Sequence, residues 1–302
     1  MSRHLADKAE IAKVGGILEI DHLTEAVSAA AQARSLAVLE GGGILFLPNL
    51  PYVLTNAEHR FLDPVISNGK AKNVSFHPAT RRCGGTGLTG EDRAELAAMM
   101  ARFSDWTLAL VRALLPRYAS SLTRGMTSLR PAEIEGRASS LRKDDTRLHV
   151  DAFRAQPVQG RRIMRVFANV SAGEPRIWHV GEPFPAFADR FVPRIRPPLP
   201  GSAGLMRHLG LTKGRRTPYD HMMLQLHDLA KKDEDYQRDA TRTEVGFPGG
   251  SCWIVCTDAT LHAAMRGRQA LEQTFFFDVA AMAAPEQSPL RVLERATGRP
   301  LL

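Results

Sequence analysis

Cysteine is scarce in this chain: three among 302 residues, at Cys83, Cys252 and Cys256. So few, so spaced, they exclude both a disulfide framework and a structural zinc pattern, and they point to a reducing compartment. Cys252 and Cys256, four apart in an apolar run, read as small core residues of a strand. Long hydrophobic runs are missing as well. No segment approaches the roughly 20 apolar residues of a membrane span, and residues 1–16 lack the apolar centre of a secretory signal. The expectation is a cytoplasmic protein that is neither integral to a membrane nor exported by that route. Internal repeats and low-complexity tracts are absent, and the proline-rich stretch 196–201 reads as a loop rather than a domain linker. Acidic residues are in deficit, with 32 Asp and Glu against 40 Lys and Arg, a net charge of +8. That balance suits an anionic partner: nucleic acid, a phosphorylated sugar or an acidic lipid surface. Aromatic residues scarcely interleave with the basic clusters, which argues against a single-strand nucleic-acid groove, and no nucleic-acid partner is expected.

What is present suffices for one large core, with 44% hydrophobic and 24% charged residues. Residues 24–39 read as a helix with Thr24 as N-cap and Gly41 just past its end. The triplet Gly41-Gly42-Gly43 leads into a short strand at 44–47. Neither Gly-Lys-Ser/Thr nor a helix follows, so the triplet is a connector and not a phosphate loop. Thr89-Gly90-Glu91-Asp92 has the capping-box pattern and opens a helix that runs to about Leu115, where Pro116 stops it. Within it Leu96, Met99, Phe103, Trp106, Leu110 and Leu114 recur at three and four, one apolar stripe that should brace a sheet. From Arg142 onward short strand-like runs appear at 147–153, 162–170, 176–180, 252–257 and 271–277, with a helical insertion at 218–232 and Asp220 as its N-cap. Short, irregularly spaced strands without βαβ alternation argue for an antiparallel sandwich or jelly roll.

Chemistry enters with His149-Val150-Asp151 and His262. Side chains two apart on a strand project from one face, so His149 and Asp151 would point together. With His262 they could form a two-His, one-carboxylate face that leaves three metal positions open, a donor set suited to Fe(II). The bland alternative is a surface strand with a solvated Asp and a locally hydrogen-bonded His. Order supports the first reading: a paired motif early, a lone His late, and 111 residues between Asp151 and His262 for the intervening strands. Facial triads on a double-stranded β-helix follow this order. The other histidines compete poorly. His221 and His227 fall six apart in the predicted helix, off a common face, and His208 sits in a glycine-flanked loop. His179 follows Trp178 in a strand, while His4, His22, His59 and His77 lie among polar or turn residues, so all read as ordinary surface or core histidines.

Four blocks then carry a resemblance. Residues 142–153 (RKDDTRLHVDAF), residues 160–167 (GRRIMRVF), Thr257-Asp258 before His262-Ala263-Ala264-Met265, and Leu271-Glu272-Gln273-Thr274-Phe275 together resemble the Kdo hydroxylase family. The resemblance covers most of residues 41–277. Members are iron- and 2-oxoglutarate-dependent enzymes of Gram-negative bacteria that hydroxylate 3-deoxy-D-manno-oct-2-ulosonic acid in the inner core of lipopolysaccharide. Where the family pattern continues with Pro and Ser after Asp-Ala-Phe, this chain has Arg154-Ala155-Gln156-Pro157, a departure at the substrate-side lip.

The resemblance implies an α+β fold, a double-stranded β-helix (jelly-roll) core braced by N-terminal helices. Residues 1–302 would form a single oxygenase domain, with 1–140 a mainly helical support and 141–280 most of the core. It implies that His149, Asp151 and His262 hold Fe(II), with 2-oxoglutarate and O2 as co-reactants, Kdo hydroxylated at C3, and succinate and CO2 released. Many such oxygenases carry an Arg about ten residues after the distal His to hold the cosubstrate's distal carboxylate, but Glu272 stands there. The replacement cation is expected from Arg162 or Arg165, which lie on opposite faces of a regular strand, with Asn169, Gln273 and Thr274 as candidate donors. Lys70-x-Lys72, Arg81-Arg82, Arg142-Lys143 and Lys213-x-Arg215-Arg216 are the clusters available around the mouth for an acidic saccharide. Kdo-lipid A or a related anionic saccharide is then the expected partner, reached by peripheral contact with the cytoplasmic face of an anionic inner membrane. Two other readings stay open: the same oxygenase chemistry on another anionic target, protein or nucleic acid, and a non-enzymatic jelly-roll sugar-binding protein.

Overall fold

A computed structural model describes residues 16–21, 27–71, 73–136 and 140–302; Thr24, His4, His22 and Lys72 lie outside the described residues. In chain order the strands are β1 (Ile17–Glu19), β2 (Ile44–Leu47), β3 (Val74–His77), β4 (Arg82–Gly84), β5 (Thr123–Arg130), β6 (Arg162–Asn169), β7 (Arg176–Val180), β8 (Thr243–Phe247), β9 (Cys252–Val255), β10 (His262–Arg266) and β11 (Ala270–Phe277). The helices are α1 (Ala29–Glu40), α2 (Gly90–Leu114), α3 (Phe184–Phe191), α4 (Ser202–His208), α5 (Pro218–Lys232), α6 (Glu234–Asp239) and α7 (Pro289–Thr297). Eight strands form one sheet in the order β1-β2-β9-β6-β11-β5-β3-β4, and three form a second in the order β10-β7-β8. Helices cover one face of the large sheet and the small sheet covers the other, the jelly-roll sandwich with helical braces that the sequence led us to expect. The first 140 residues, expected to be mainly helical, also supply five of the eight strands of the large sheet, so the helical support and the core are interleaved along the chain.

Alternation along the central strands creates the two layers. In β2, Leu45 and Leu47 belong to the core under the helices while Ile44 faces the small sheet; in β9, Cys252 and Ile254 take the first side and Trp253 and Val255 the second. Between the sheets Phe247 stacks on Trp253 at a centroid distance of 4.0 Å, and Trp178 meets both edge-on at 5.7 and 5.6 Å. Rings in these geometries stabilise beyond their burial and hold the sheets in register. The stripe of α2 packs as read, with Leu96, Met99, Phe103, Leu110 and Leu114 buried.

Cap positions moved where local hydrogen bonding decided. Ser28 caps α1, accepting from Ala31 N. Thr89 stands at the N-cap of α2 without a side-chain bond. Thr217 caps α5, with Asp220 three residues inside as the reciprocal partner of a capping box, so Asp220 is not the N-cap.

In β6 the two predicted arginines do take opposite faces. Arg162 turns toward the helical layer, where its Nε and Nη2 donate to Asp258 at 2.8 and 3.0 Å in a pair that is fully buried on both sides. Burial alone would weaken the guanidinium's hold on its proton, and the Asp258 charge more than offsets that. Truncating one member strands the other in a medium of low polarity. Asp258→Ala is therefore expected to lower the unfolding free energy by about 3–5 kcal/mol, read from urea denaturation. Equal midpoints for variant and wild type would contradict this account of the pair.

Candidate metal centre

The segment carrying His149 is not a regular strand. It makes a single antiparallel bridge, His149 N donating to His262 O at 3.1 Å and His262 N to His149 O at 3.0 Å, so it forms a one-rung edge beside β10. The missing rungs are replaced individually. Leu148 N donates to Gln237 Oε1 at 2.8 Å and Gln237 Nε2 to Leu148 O at 3.0 Å, while Asp151 N donates to Thr257 O at 2.7 Å. Buried backbone groups need partners, and an amide side chain from α6 supplies what a neighbouring strand would. Leu148 and Val150 bury completely on one side, leaving His149 and Asp151 to project from the other.

There the two histidines and the aspartate converge, with candidate ligand atoms within 4.8 Å of one another. Each imidazole is oriented by its own chain: Nδ1 of His149 donates to Arg147 O at 2.7 Å, and Nδ1 of His262 to Thr260 O at 2.9 Å. Because a carbonyl only accepts, Nδ1 carries the hydrogen in both rings and each Nε2 keeps a free lone pair. His149 Nε2 and Asp151 Oδ1 stand 3.9 Å apart, too far for a hydrogen bond. Burial first, and for His149 also the adjacent His262, push both imidazoles below their ordinary range, so they are neutral donors at pH 7. For Asp151 burial acts upward, but the Arg165 guanidinium beside it holds the carboxyl well below the usual carboxylate range. Two neutral imidazoles and one carboxylate fit a divalent ion of borderline softness such as Fe(II); among the described residues Asp151 Oδ2 accepts no hydrogen bond, its near neighbour being the Arg165 cation. Trp178 lies over His262 at 5.0 Å, tilted by 22°, and fixes the ring plane. His227 meets His149 edge-on at 5.4 Å, so a histidine the helix spacing dismissed belongs to the wall of this centre.

Beside the triad stands a cluster of guanidinium groups. One cleft is lined by Arg130, Asp145, His149, Asp151, Arg165, Phe167, Arg176, Trp178, His262 and Ala264. Arg165 lies 2.9 Å from Asp151 Oδ2 and pairs with Glu272; Arg130 donates to Glu272 Oε2 at 2.9 and 2.6 Å and to Asp145 Oδ2 at 3.0 Å. Arg176 is different. It is 1% exposed, has no carboxylate at ion-pair distance among the described residues, and donates through Nη1 to Gly267 O at 3.1 Å. Burial, then the neighbouring Arg130, pull it down to about 9. Among the described residues Arg165 Nε, Arg176 Nε and Trp178 Nε1 are buried donors without partners. Each such group costs about 1–3 kcal/mol, so their concentration at one cleft marks room for an anion.

The predicted cosubstrate residues divide accordingly. Arg165 reaches the cleft. Thr274 sits opposite it in the β6–β11 register and is buried. Arg162 does not reach it, being committed to Asp258 on the far face. Gln273 also faces away, donating to Gly125 O and Thr274 O and accepting from Thr127. Asn169 ties the β6–β7 turn by donating to Glu174 O and Phe247 O. Glu272 fills the place of the expected cation by holding two cations, and Arg130 and Arg176, on β5 and β7, join the cleft without a motif to mark them. An arginine opening an otherwise apolar strand, Arg176-Ile177-Trp178, is the signal that would have found the second. Arg142 and Arg154 reach the outer side of the same wall, both pairing with Asp228 next to His227.

The family model for 3-deoxy-D-manno-oct-2-ulosonic acid (Kdo) hydroxylase matches residues 22–300. Among curated proteins none matches. Among solved structures, the chain is similar to the Kdo hydroxylase KdoO, a non-heme Fe(II) alphaketoglutarate-dependent dioxygenase, in complex with alphaketoglutarate and Fe(III). Identity is 42%, the TM-score is 0.91, and 95% of this chain and 97% of that one are covered. KdoO with cobalt(II) matches at 43% identity and TM-score 0.91, and KdoO with succinate and Fe(III) at 42% and 0.90, each covering 94% of this chain and 97% of the other. The sandwich, the triad and the match along nearly the whole length agree: the chain belongs to the Kdo hydroxylase family.

Proposed function

We propose that this protein is an Fe(II)/2-oxoglutarate-dependent dioxygenase that hydroxylates C3 of the Kdo sugar in Kdo-lipid A, releasing succinate and CO2. The observation that carries the reading is the convergence of His149, Asp151 and His262 beside partnerless buried donors. Bound by those three side chains, Fe(II) couples the oxidation of 2-oxoglutarate by O2 to hydroxylation of a substrate carbon. The protein contributes orientation and charge. Arg147 O and Thr260 O lock the imidazoles in the tautomer that presents Nε2, and Arg165 keeps Asp151 ionised. The cleft balances three guanidiniums, Arg130, Arg165 and Arg176, against three carboxylates, Asp145, Asp151 and Glu272. A divalent cation and a dianionic cosubstrate therefore enter without net charge, and Arg176 with Trp178 Nε1 offers the donors a carboxylate takes. Thr274, beside Arg165, is a further donor.

The acceptor is lipid-linked in this reading, and the protein meets the cytoplasmic side of the inner membrane at its anionic surface. The net charge of +8 supports such contact. Among the described residues no helix is long and apolar enough to cross a membrane.

Purified protein supplied with Fe(II), 2-oxoglutarate and detergent-dispersed Kdo-lipid A should release succinate only when all three are present, and His262→Ala should not. Succinate release that ignores Kdo-lipid A, or that survives in His262→Ala, would overturn the assignment.

A further inference from the structure

Four of the eight exposed large apolar side chains among the described residues lie within 199–211: Leu199, Leu205, Leu209 and Leu211, at 79, 59, 59 and 62% exposure. Leu205 and Leu209 stand one turn apart on the outer side of α4, while Met206 turns inward against Arg216. The same excursion is uniformly basic. Residues 190–219 contain seven Arg and Lys and no Asp or Glu. Arg190 and Arg194 are committed to Glu182 and Asp233, whereas Arg196, Arg207, Lys213 and Arg215 are exposed with no ion-pair partner among the described residues. Exposed leucines in water cost free energy, and unpaired cations beside them are set out for an anionic, apolar-cored surface.

Its position ties this surface to the centre. Lys213 N donates to Ala155 O at 2.8 Å, Gln159 Nε2 to Arg215 O at 3.2 Å, and His221 Nε2 to Arg196 O at 2.7 Å. Residues 154–159 run on directly from Asp151 and Phe153, so the excursion is hydrogen-bonded to the segment that follows the His149-Asp151 pair. A groove in the same excursion is lined by Leu199, Ser202, Arg215, Arg216 and His221 among others, so cations and an exposed apolar tip share one surface.

We infer that the 196–215 excursion docks the protein on a bilayer containing anionic phospholipid, leucines into the headgroup and acyl boundary and arginines against the phosphates. The inference rests on the reading of the acceptor as a lipid-linked sugar. A cation held at such a surface strengthens partitioning roughly fivefold, so the effects are large enough to measure.

The test is co-sedimentation with phosphatidylcholine vesicles, with and without phosphatidylglycerol, for three full-length proteins: wild type, Leu205→Ser/Leu209→Ser/Leu211→Ser, and Arg196→Glu/Arg207→Glu. The wild type should bind the anionic vesicles at least tenfold better than the neutral ones, and both variants should lose at least tenfold. Unaltered binding by the variants, or none by the wild type, overturns the inference. So does a concentration-dependent dimer in sedimentation velocity that the leucine variant abolishes while vesicle binding is unchanged. Succinate release on detergent-dispersed Kdo-lipid A, measured on the same samples, should stay unchanged in both variants. Its absence from all three would sink the hydroxylase reading, whereas its presence without vesicle binding sinks the docking surface alone.

Discussion

Asp151→Asn is expected to lower kcat/KM for Kdo-lipid A by about a thousandfold, equivalent to roughly 4 kcal/mol of transition-state stabilisation. The substitution keeps shape and volume and removes the charge. In the native protein Asp151 is held ionised against burial by Arg165, which leaves an anionic oxygen facing two neutral Nε2 atoms. An amide there is a weaker donor to the divalent ion than a carboxylate and leaves the Arg165 charge less well balanced, so metal affinity and turnover fall together. Fe(II) titration and steady-state kinetics on the same preparation check this, with far-UV circular dichroism to show that the fold persists. Turnover within a few-fold of wild type, with bound iron, would mean that the carboxylate is not a ligand.

Arg176→Met separates function from folding. Arg176 is buried without a counter-charge among the described residues, so in the absence of an anion it destabilises the protein. A volume-conserving apolar replacement is expected to leave the metal-free, cosubstrate-free protein as stable as wild type or more stable by about 1–3 kcal/mol. Affinity for 2-oxoglutarate should fall by about two to three orders of magnitude, the usual cost of losing one partner of a desolvated charge pair. Calorimetric titration of 2-oxoglutarate, paired with urea denaturation, reads both. Arg165→Met should behave oppositely in the second measurement, because Arg165 neutralises Asp151 and Glu272 and its loss strands carboxylates. If Arg176→Met unfolds the protein or binds 2-oxoglutarate as tightly as wild type, Arg176 is a structural residue.

These residues also show where sequence suffices. His149 and Asp151 were readable as a pair because alternation is local: any extended segment puts i and i+2 together, even one that turns out to be a single bridge patched by Gln237. The opposite faces of Arg162 and Arg165 followed from the same rule, but not which of them faced the cleft, since that depends on the side to which the large sheet presents β6. Of the three candidate cosubstrate donors, Asn169 and Gln273 spend their amides on backbone carbonyls, which a residue type and its position in sequence do not reveal. Arg130 was hidden because β5, Thr-Arg-Gly-Met-Thr-Ser-Leu-Arg, lacks the apolar density of a central strand; its pairing with β11 rather than its own composition makes it one. Glu272, read as a missing cation, holds two cations in place, a relation no spacing rule exposes. The spacing of His227 to His221 says nothing of its relevant neighbour, His149, which is 78 residues away in the chain.

The most direct measurement is the origin of the oxygen atom. Wild-type protein is given Fe(II), 2-oxoglutarate and Kdo-lipid A under isotopically heavy dioxygen in ordinary water, and the products are weighed by mass spectrometry. The expected result is one heavy oxygen on C3 of the Kdo unit for each succinate formed, with neither product in His262→Ala. Kdo-lipid A recovered without added oxygen while 2-oxoglutarate is consumed, or hydroxylated with oxygen from water, would contradict the assignment of His149, Asp151 and His262 to this reaction.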